Sequence, residues 1–220
     1  MILLFIRLSD HSIKVFSSHI NSTHLRECID QLLHLYSETE KVDLDTLLQT
    51  DWFKIEALHV LLAPNATGLY RAFQLPPIAI SQRVIKYSVE ISTSLWLGNF
   101  VRAHRTAARL PLILQLAYRM QFAKQRPTLL KVYDKSYRSA QGGRFPLDKL
   151  RRHLMFSSIA ATSNYCREFG LLVDGSSVLF KTSVTCDEDG TSKSQDIYCR
   201  DIEEQLKNVC LADLLHGKSL

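Results

Sequence analysis

Apolar residues recur at intervals of three and four along the first half of the chain, the spacing of one buried face of an α-helix. The pattern predicts helices over 3–38, 45–63, 67–74, 81–97, 100–109 and 112–124. In the first of these the inward positions are Leu25, Cys28, Ile29, Leu32, Leu33 and Tyr36. In the helix over 81–97 they are Val84, Ile85, Ser88, Ile91 and Leu95. Because the connecting loops are short, this region is predicted to be a stack of helix pairs, an α-solenoid.

Glycine and proline mark the predicted helix ends. Gly98-Asn99 is typical of a helix C-terminus, where glycine accepts the left-handed conformation at little cost. Pro76-Pro77 ends the helix over 67–74, and Pro111 separates the last two helices of the region. After Pro127 the pattern changes, and the helices become shorter.

Beyond Pro127 the sequence predicts three helices, over 129–137, 145–156 and 158–169. Two β-prone runs follow, 171–173 and 178–180, and Asp174-Gly175 between them is a strong hairpin signal. Three helices followed by a two-stranded hairpin is the order of a winged helix. An acidic polar loop over 187–194 and an amphipathic helix over 202–215 end the chain.

The predicted fold class is therefore mainly α, with stacked helix pairs followed by a winged helix that carries a small β-hairpin. Three regions are expected within one domain. They are a helical repeat region over 1–126, a winged helix over 127–182, and an acidic loop with a C-terminal helix over 183–220.

Composition narrows the class of protein. The 220 residues are 46% hydrophobic and 22% charged, an ordinary globular composition. The apolar run Ile2 to Ile6 ends at Arg7, far short of the roughly 20 residues of a membrane-spanning helix, and it lacks the features of a signal peptide. The five cysteines are scattered without a Cys-x-x-Cys pair, so neither a disulfide framework nor a metal site is expected. We predict no membrane insertion.

The sequence contains no recognisable catalytic motif. It has no Gly-rich phosphate loop, no His-Glu-x-x-His and no Gly-x-Ser-x-Gly, and its eight histidines are dispersed. We therefore predict a protein that is not an enzyme, with no cofactor and no small-molecule substrate.

The net charge of +5 is distributed unevenly. Residues 99–155 contain 13 basic and two acidic residues, or 13 − 2 = +11, whereas residues 1–98 and 156–220 carry −2 and −4. Such a basic block indicates an acidic partner, either nucleic acid or an acidic protein surface. The alternative is that the cations cover solvated outer faces of helices.

Ten basic residues are the candidate binding site. They are Arg102, Arg105 and Arg109 on one predicted helical face, Lys131, Lys135 and Arg138 on another, and Arg144, Lys149, Arg151 and Arg152 around the second winged-helix helix. Clustered cations suit a phosphate backbone. The predicted recognition helix over 158–169, however, has Arg167 as its only cation, offset by Glu168. Protein docking is thus favoured over a weak, sequence-independent contact with RNA or DNA.

Several stretches together resemble the Sac-three/GANP domain family, the germinal-centre-associated nuclear protein family. The resemblance spans most of residues 1–182. It is carried by Gly98-Asn99-Phe100-Val101-Arg102 leading to Leu110-Pro111, Phe145-Pro146-Leu147 to Phe156, Cys166 to Leu171, and Leu25 to Tyr36. The family's cysteine-proline-rich segment upstream of the helices is missing, so we expect either a truncated gene model or the loss of the first helices.

The resemblance implies helical repeats followed by a winged helix, related to the PCI domains of proteasome-lid and signalosome subunits. It also implies a scaffold with protein partners, either a PCI-type subunit or a centrosomal protein. Large members scaffold a nuclear complex that couples transcription to mRNA export, and a short member is linked to centrosome duplication and mitotic spindle assembly. The size and short helical ending of this chain favour the short branch, at the centrosome, spindle and cytoplasm, with the nucleus as the alternative location.

Overall fold

A computed structural model describes residues 18–39, 51–63, 66–139 and 142–181. The helices that precede the sheet are α1 (Ser18–Thr39), α2 (Trp52–Leu62), α3 (Ala66–Gln74), α4 (Pro77–Ser81), α5 (Arg83–Trp96), α6 (Phe100–Ala107) and α7 (Leu112–Tyr137). They are followed by β1 (Gly143–Pro146), α8 (Leu147–Leu154), α9 (Ile159–Glu168), β2 (Leu172–Asp174) and β3 (Ser177–Phe180). The chain forms two compact units, Met1–Tyr118 and Arg119–Leu220, so the boundary falls within α7.

Helix α2 is the centre of the first unit, where it packs against α1, α3 and α5. A helix that is apolar on most of its circumference is stable only when other elements surround it. The buried apolar residues of α2 are Trp52, Ala57, Leu58, Val60, Leu61 and Leu62. The predicted helix over 45–63 is thus confirmed for its second half, and residues 45–50 lie outside the described ranges.

Helix α1 buries a narrower stripe than the sequence predicted, whereas α5 buries Ser92 and Ser94 in addition to most of its predicted stripe. In α1 the buried positions are Leu25, Ile29 and Leu33, whereas Cys28 and Leu32 are exposed. Leu25, Ile29 and Leu33 are four residues apart, so their side chains lie one above another on the same face of the helix. The predicted inward residues of α5 are confirmed, except that Val84 is only half-buried. Residues 3–17 of the first predicted helix lie outside the described part of the chain.

An ion pair between a buried carboxylate and a half-buried arginine joins α2 to α3. The Glu56 carboxylate is almost fully enclosed, and Arg71 donates to it from Nε at 3.0 Å and from Nη2 at 2.7 Å. Trp52 Nε1 donates to the same carboxylate at 3.2 Å. A buried charge is tolerated only when its partners replace the lost hydration, and this two-pronged arginine geometry does so.

The turn at Gly98-Asn99 ends α5 and begins α6. Gly98 has a φ of 71°, its N–H donates to Leu95 O at 3.1 Å, and the Asn99 N–H donates to Ser94 O at 2.7 Å. These are the two hydrogen bonds of a Schellman C-cap. The Asn99 Oδ1 then accepts from the Arg102 N–H at 3.1 Å, as an N-cap of the next helix. The predicted helix end is confirmed.

The second unit contains the winged helix. Its sheet has the order β1-β3-β2, and all its pairs are antiparallel. Strands β2 and β3 form the predicted hairpin, and Gly175 occupies the first loop position with a φ of 57°. Ser158 begins α9 as its N-cap by accepting from the Ala161 N–H at 3.0 Å.

Strand β1 was not predicted. The sequence pattern assigned Phe145 and Pro146 to the start of a helix, but both pair with β3, and the helix begins at Leu147. Proline has no N–H to donate, which an edge strand such as β1 tolerates. The backbone pairing of these residues is a long-range contact, which is why helical periodicity does not reveal it.

The prediction of two helices separated by Pro127 was wrong, because α7 continues through this residue as one helix. An interior proline removes one helical hydrogen bond and usually kinks or ends a helix. Here Phe122, Leu129 and Leu130 are buried before and after it. The burial of apolar side chains on both sides of Pro127 contributes stability that a single lost hydrogen bond does not outweigh.

Arg126 holds the C-terminal end of α8 within the second unit. Its side chain is buried, and it donates from Nε to Leu154 O at 2.8 Å and from Nη2 to Met155 O at 2.9 Å. Its guanidinium carbon lies 4.0 Å from the centre of the Phe156 ring. A cation at a helix C-terminus compensates the carbonyls that lack helical partners.

The predicted fold class is confirmed, since the chain is mainly α-helical with a winged helix that carries a small antiparallel sheet. The region boundaries at 126 and 182 stay predictions. The predicted acidic loop over 187–194 and the helix over 202–215 lie outside the described residues.

Substituting Gly98→Ala tests the turn. A Cβ at this position would meet no atom within 4 Å, so the cost comes only from the left-handed backbone. We expect the free energy of unfolding to fall by about 1–2 kcal/mol in chemical denaturation. Gly98→Asn is the control and should cost less, because asparagine tolerates this conformation. Equal stability of the glycine and alanine forms would show that the turn relaxes to another conformation.

Candidate functional site

Helix α6 presents the first group of predicted basic residues. Its buried positions are Phe100, Ala103, Thr106 and Ala107, which leaves Val101 and Arg105 exposed, four residues apart on the outward side. Because the helix ends at Ala107, Arg109 lies in the turn that follows it. The prediction of one helical face for all three arginines therefore does not hold for Arg109.

Arg102 is bonded to a carboxylate of the neighbouring helix. Its Nε donates to Glu90 Oε1 on α5 at 2.7 Å. This hydrogen bond holds the pKa of the Glu90 carboxyl below its ordinary value and outweighs partial burial, which acts in the opposite direction. A hydrogen bond from Thr106 and the positive charges of Arg102 and Arg109 lower the pKa of Glu90 further.

In the second group, the arginine is paired and the two lysines are not. Arg138 donates from Nε and Nη2 to the buried carboxylate of Asp134, one turn earlier on α7. This bond raises the pKa of Arg138. Lys131 and Lys135 are exposed and form no ion pair with any residue that the structure describes.

Every arginine of the third group also has a carboxylate partner. Arg144 Nη2 on β1 lies 3.1 Å from Asp174 Oδ2 on β2. Arg151 Nη2 lies 3.2 Å from Asp148 Oδ1, and Arg152 Nη2 lies 2.7 Å from Asp148 Oδ2. The hydrogen bond from Arg151 is the main reason that the pKa of Asp148 is lowered. The surface around α8 is therefore less positive than a count of its basic residues suggests.

Five of the ten predicted cations form no salt bridge among the described residues. They are Arg105 and Arg109 in the first unit and Lys131, Lys135 and Lys149 in the second. The other five are held by four carboxylates. Two of these, Glu90 and Asp174, lie outside the 99–155 segment whose charge was counted, and only the fold brings them to it.

Sequence reasoning missed a group of exposed apolar residues beside the first group of cations. Trp96, Leu97 and Val101 surround the Gly98-Asn99 turn and are 68%, 76% and 52% exposed. In the sequence, Trp96, Leu97 and Val101 are apolar residues that fall outside every predicted inward face. We call Trp96, Leu97, Val101, Arg105 and Arg109 the α5–α6 corner.

The helix in the recognition position of the winged helix carries little positive charge. On α9, Ile159 is half exposed, and Arg167 donates to Asn164 Oδ1 at 3.5 Å. Glu168 is exposed beside it. Readout of base edges in the major groove needs donors and cations on such a helix, and this surface provides few.

Burial shifts the pKa values of three groups in the winged helix, Tyr133, His153 and Cys166. Tyr133 hydrogen-bonds to His153, and its ring packs with Phe145 and Phe180. Burial raises the pKa of Tyr133 to about 12 and lowers the pKa of His153, with the charges of Arg152 and Lys149 adding to the latter. Burial also raises the pKa of Cys166 to about 12, so this thiol stays protonated at neutral pH.

The described residues contain neither a cluster of metal-ligating side chains nor a membrane-spanning helix. Across 18–39, 51–63, 66–139 and 142–181, no three histidine, cysteine, aspartate or glutamate side chains come together as metal ligands. None of the helices described in these ranges is both long and apolar enough to cross a bilayer.

In the described residues, packed helices and a winged helix carry carboxylate-paired arginines and an exposed apolar corner at their surface. The sequence matches the SAC3/GANP family over residues 1–175, and the chain belongs to that family. The predicted resemblance is therefore confirmed, and the family is one of scaffold proteins. No curated protein matches the sequence. The link to the short, centrosome-associated member stays a prediction.

The depressed pKa of Glu90 predicts a stability change with pH. Its stabilising contribution is complete above the pKa of the unfolded chain, and it is lost as the pH falls through the lower pKa of the folded state. We expect the free energy of unfolding to decrease between about pH 5 and pH 3 more steeply in the wild type than in Glu90→Gln. Urea denaturation across this range measures the difference.

Glu27→Gln is the matched control, because Glu27 forms only an exposed ion pair with His24. Its profile should parallel the wild type. If Glu90→Gln showed the wild-type slope as well, the bond to Arg102 would contribute nothing to folding.

Proposed function

We propose that this chain is a non-enzymatic scaffold that docks other proteins and acts in centrosome duplication and mitotic spindle assembly. Its membership of the SAC3/GANP family supports the scaffold role. The observation that carries protein docking, rather than nucleic-acid binding, is that most arginines of the basic block are already bonded to carboxylates. Arg102, Arg138, Arg144, Arg151 and Arg152 are the ones so bonded.

Phosphate binding by such residues is weakened for a physical reason. Affinity for a nucleic-acid backbone comes largely from the counterions that the protein's cations displace. To bind a phosphate, an arginine that is bonded to a carboxylate must either break that bond or keep it. If it keeps the bond, the negative carboxylate lies close to the phosphate and repels it. The effective number of phosphate contacts is therefore lower than the ten candidate residues suggest.

The family match supports a second cellular setting, a nuclear complex that couples transcription to mRNA export. The two settings share the scaffold mechanism and differ in partner and location. In both, the partner is a protein, which is either a centrosomal component or a PCI-type subunit.

Nucleic-acid titration tests the mechanism. We expect the full chain to bind single-stranded RNA and duplex DNA with a Kd no tighter than about 10⁻⁴ M in about 150 mM salt, the weak end of non-specific affinity. Asp148→Asn combined with Asp174→Asn releases Arg144, Arg151 and Arg152 and should strengthen binding. Fluorescence anisotropy at several salt concentrations measures both effects.

The opposite result is equally definite. The chain would be a nucleic-acid binder if the wild type bound with a micromolar Kd in the same buffer. The slope of log K against log salt concentration should then become shallower when Arg102, Arg105 and Arg109 are changed to Glu. Each lost phosphate contact should lower the logarithmic slope by about 0.7 to 0.9.

Localisation through the cell cycle tests the setting. We expect the tagged full-length protein at spindle poles in mitosis, and its depletion should disturb centrosome number. Accumulation at the nuclear rim, with retention of polyadenylated RNA in the nucleus on depletion, would replace this setting by mRNA export. Diffuse chromatin staining would contradict both settings.

A further inference from the structure

The apolar part of the α5–α6 corner is exposed, in contrast to the buried face of α5. Trp96 is 68% exposed, whereas Ile85 and Ile91 of the same helix have no exposed surface. Leu97 and Val101 extend the apolar surface around the turn. Aromatic side chains bury 150–250 Å² when they are covered, so an exposed tryptophan beside two exposed aliphatic residues is typical of an interaction site.

The backbone beneath this surface is well defined. Gly98 and Asn99 are hydrogen-bonded to Leu95 and Ser94, and Asn99 also caps α6. A Schellman turn usually buries an apolar contact between the positions of Asn99 and Ser94, but both residues are polar here. Trp96 and Leu97 are thus exposed on a hydrogen-bonded backbone that needs little ordering when a partner binds.

Cations without a bonded carboxylate adjoin the apolar residues. Arg105 lies one helical turn after Val101 on the outward side of α6, and Arg109 follows in the next turn of chain. Neither forms a salt bridge with a residue that the structure describes. Arg102, in contrast, is bonded to Glu90. A ligand for this surface therefore needs both apolar side chains and negative charge.

We propose that the α5–α6 corner docks a short acidic segment of a second protein. A bulky apolar side chain of the segment contacts Trp96 and Leu97, while its Asp or Glu residues lie against Arg105 and Arg109. This inference rests on the proposed protein-docking function and names the surface and the chemistry of the partner.

Two other occupants fit less well. The side chains of Leu97 and Val101 offer nothing to a phosphate backbone, although Trp96 could stack on a base. In a second copy of the chain, a two-fold contact centred on the corner would place Arg105 and Arg109 of both molecules in the same patch. Like charges so close together oppose such a contact. An acidic peptide satisfies both the apolar and the cationic residues.

Selection from a random peptide library supplies the probe. We expect twelve-residue peptides selected on the full chain to combine several Asp or Glu with at least one Phe or Leu. Trp96→Ala should raise the Kd of these peptides by about thirtyfold or more, as for a central interface tryptophan. Arg105→Glu with Arg109→Glu should also weaken binding and remove most of its salt dependence.

The chain has two tryptophans, which allows a direct readout. Trp52 is buried, whereas Trp96 is exposed, so iodide should quench mainly Trp96 in the free chain. A bound peptide that itself lacks tryptophan should protect Trp96 from iodide. The matched control is Phe73→Ala, which removes a side chain that is 66% exposed on α3 and lies outside the corner. It should leave both affinity and quenching unchanged.

Several results would overturn the inference. Selected peptides without acidic residues, a Kd unaffected by Trp96→Ala, or an equal loss with Phe73→Ala would each do so. If a peptide or protein binds elsewhere, the docking function stands and only this site fails. If single-stranded RNA protects Trp96 at physiological salt, both the site and the docking function fail. Concentration-dependent self-association that Trp96→Ala abolishes would assign the corner to a second copy.

Discussion

The surface of the first unit depends on the turn at Gly98-Asn99. One left-handed glycine closes the carbonyl end of α5, and the next residue caps the amide end of α6, so no loop intervenes between the two helices. This close connection lets Arg102 reach Glu90 and leaves Trp96 and Leu97 without cover. The two turn residues thus fix the backbone on which the apolar and charged side chains of the corner are carried.

Carboxylates determine how the basic block can be used. Glu90, Asp134, Asp148 and Asp174 each hold at least one arginine of the block. The exposed pairs among these add little to stability, but all four carboxylates occupy donors that would otherwise bind phosphate. The cations that remain unpaired among the described residues are therefore better suited to supplementing an apolar contact than to following a nucleic-acid strand. This agrees with membership of a scaffold family.

Two arginines, Arg71 at the edge of one core and the buried Arg126 in the other, show how polar groups are accommodated in the two units. Arg71 neutralises Glu56 between α2 and α3, and Arg126 donates to the carbonyls at the end of α8. In each case the charge is satisfied by groups distant in the sequence. The buried polar residues of these contacts, Glu56 and Arg126, have no local pattern that marks them as internal, because sequence periodicity records hydrophobicity and not hydrogen-bond partners.

The sequence by itself determined most of the helices, the hairpin at Asp174-Gly175, the helix end at Gly98 and the family, since each depends on local spacing or on a short motif. Only the tertiary structure decided the rest. Strand β1, the continuity of α7 through Pro127 and the pairing of Arg102 with Glu90 all arise from contacts between residues that are far apart in the sequence. The exposure of Trp96 belongs with these, because whether an apolar residue is covered depends on which elements pack beside it.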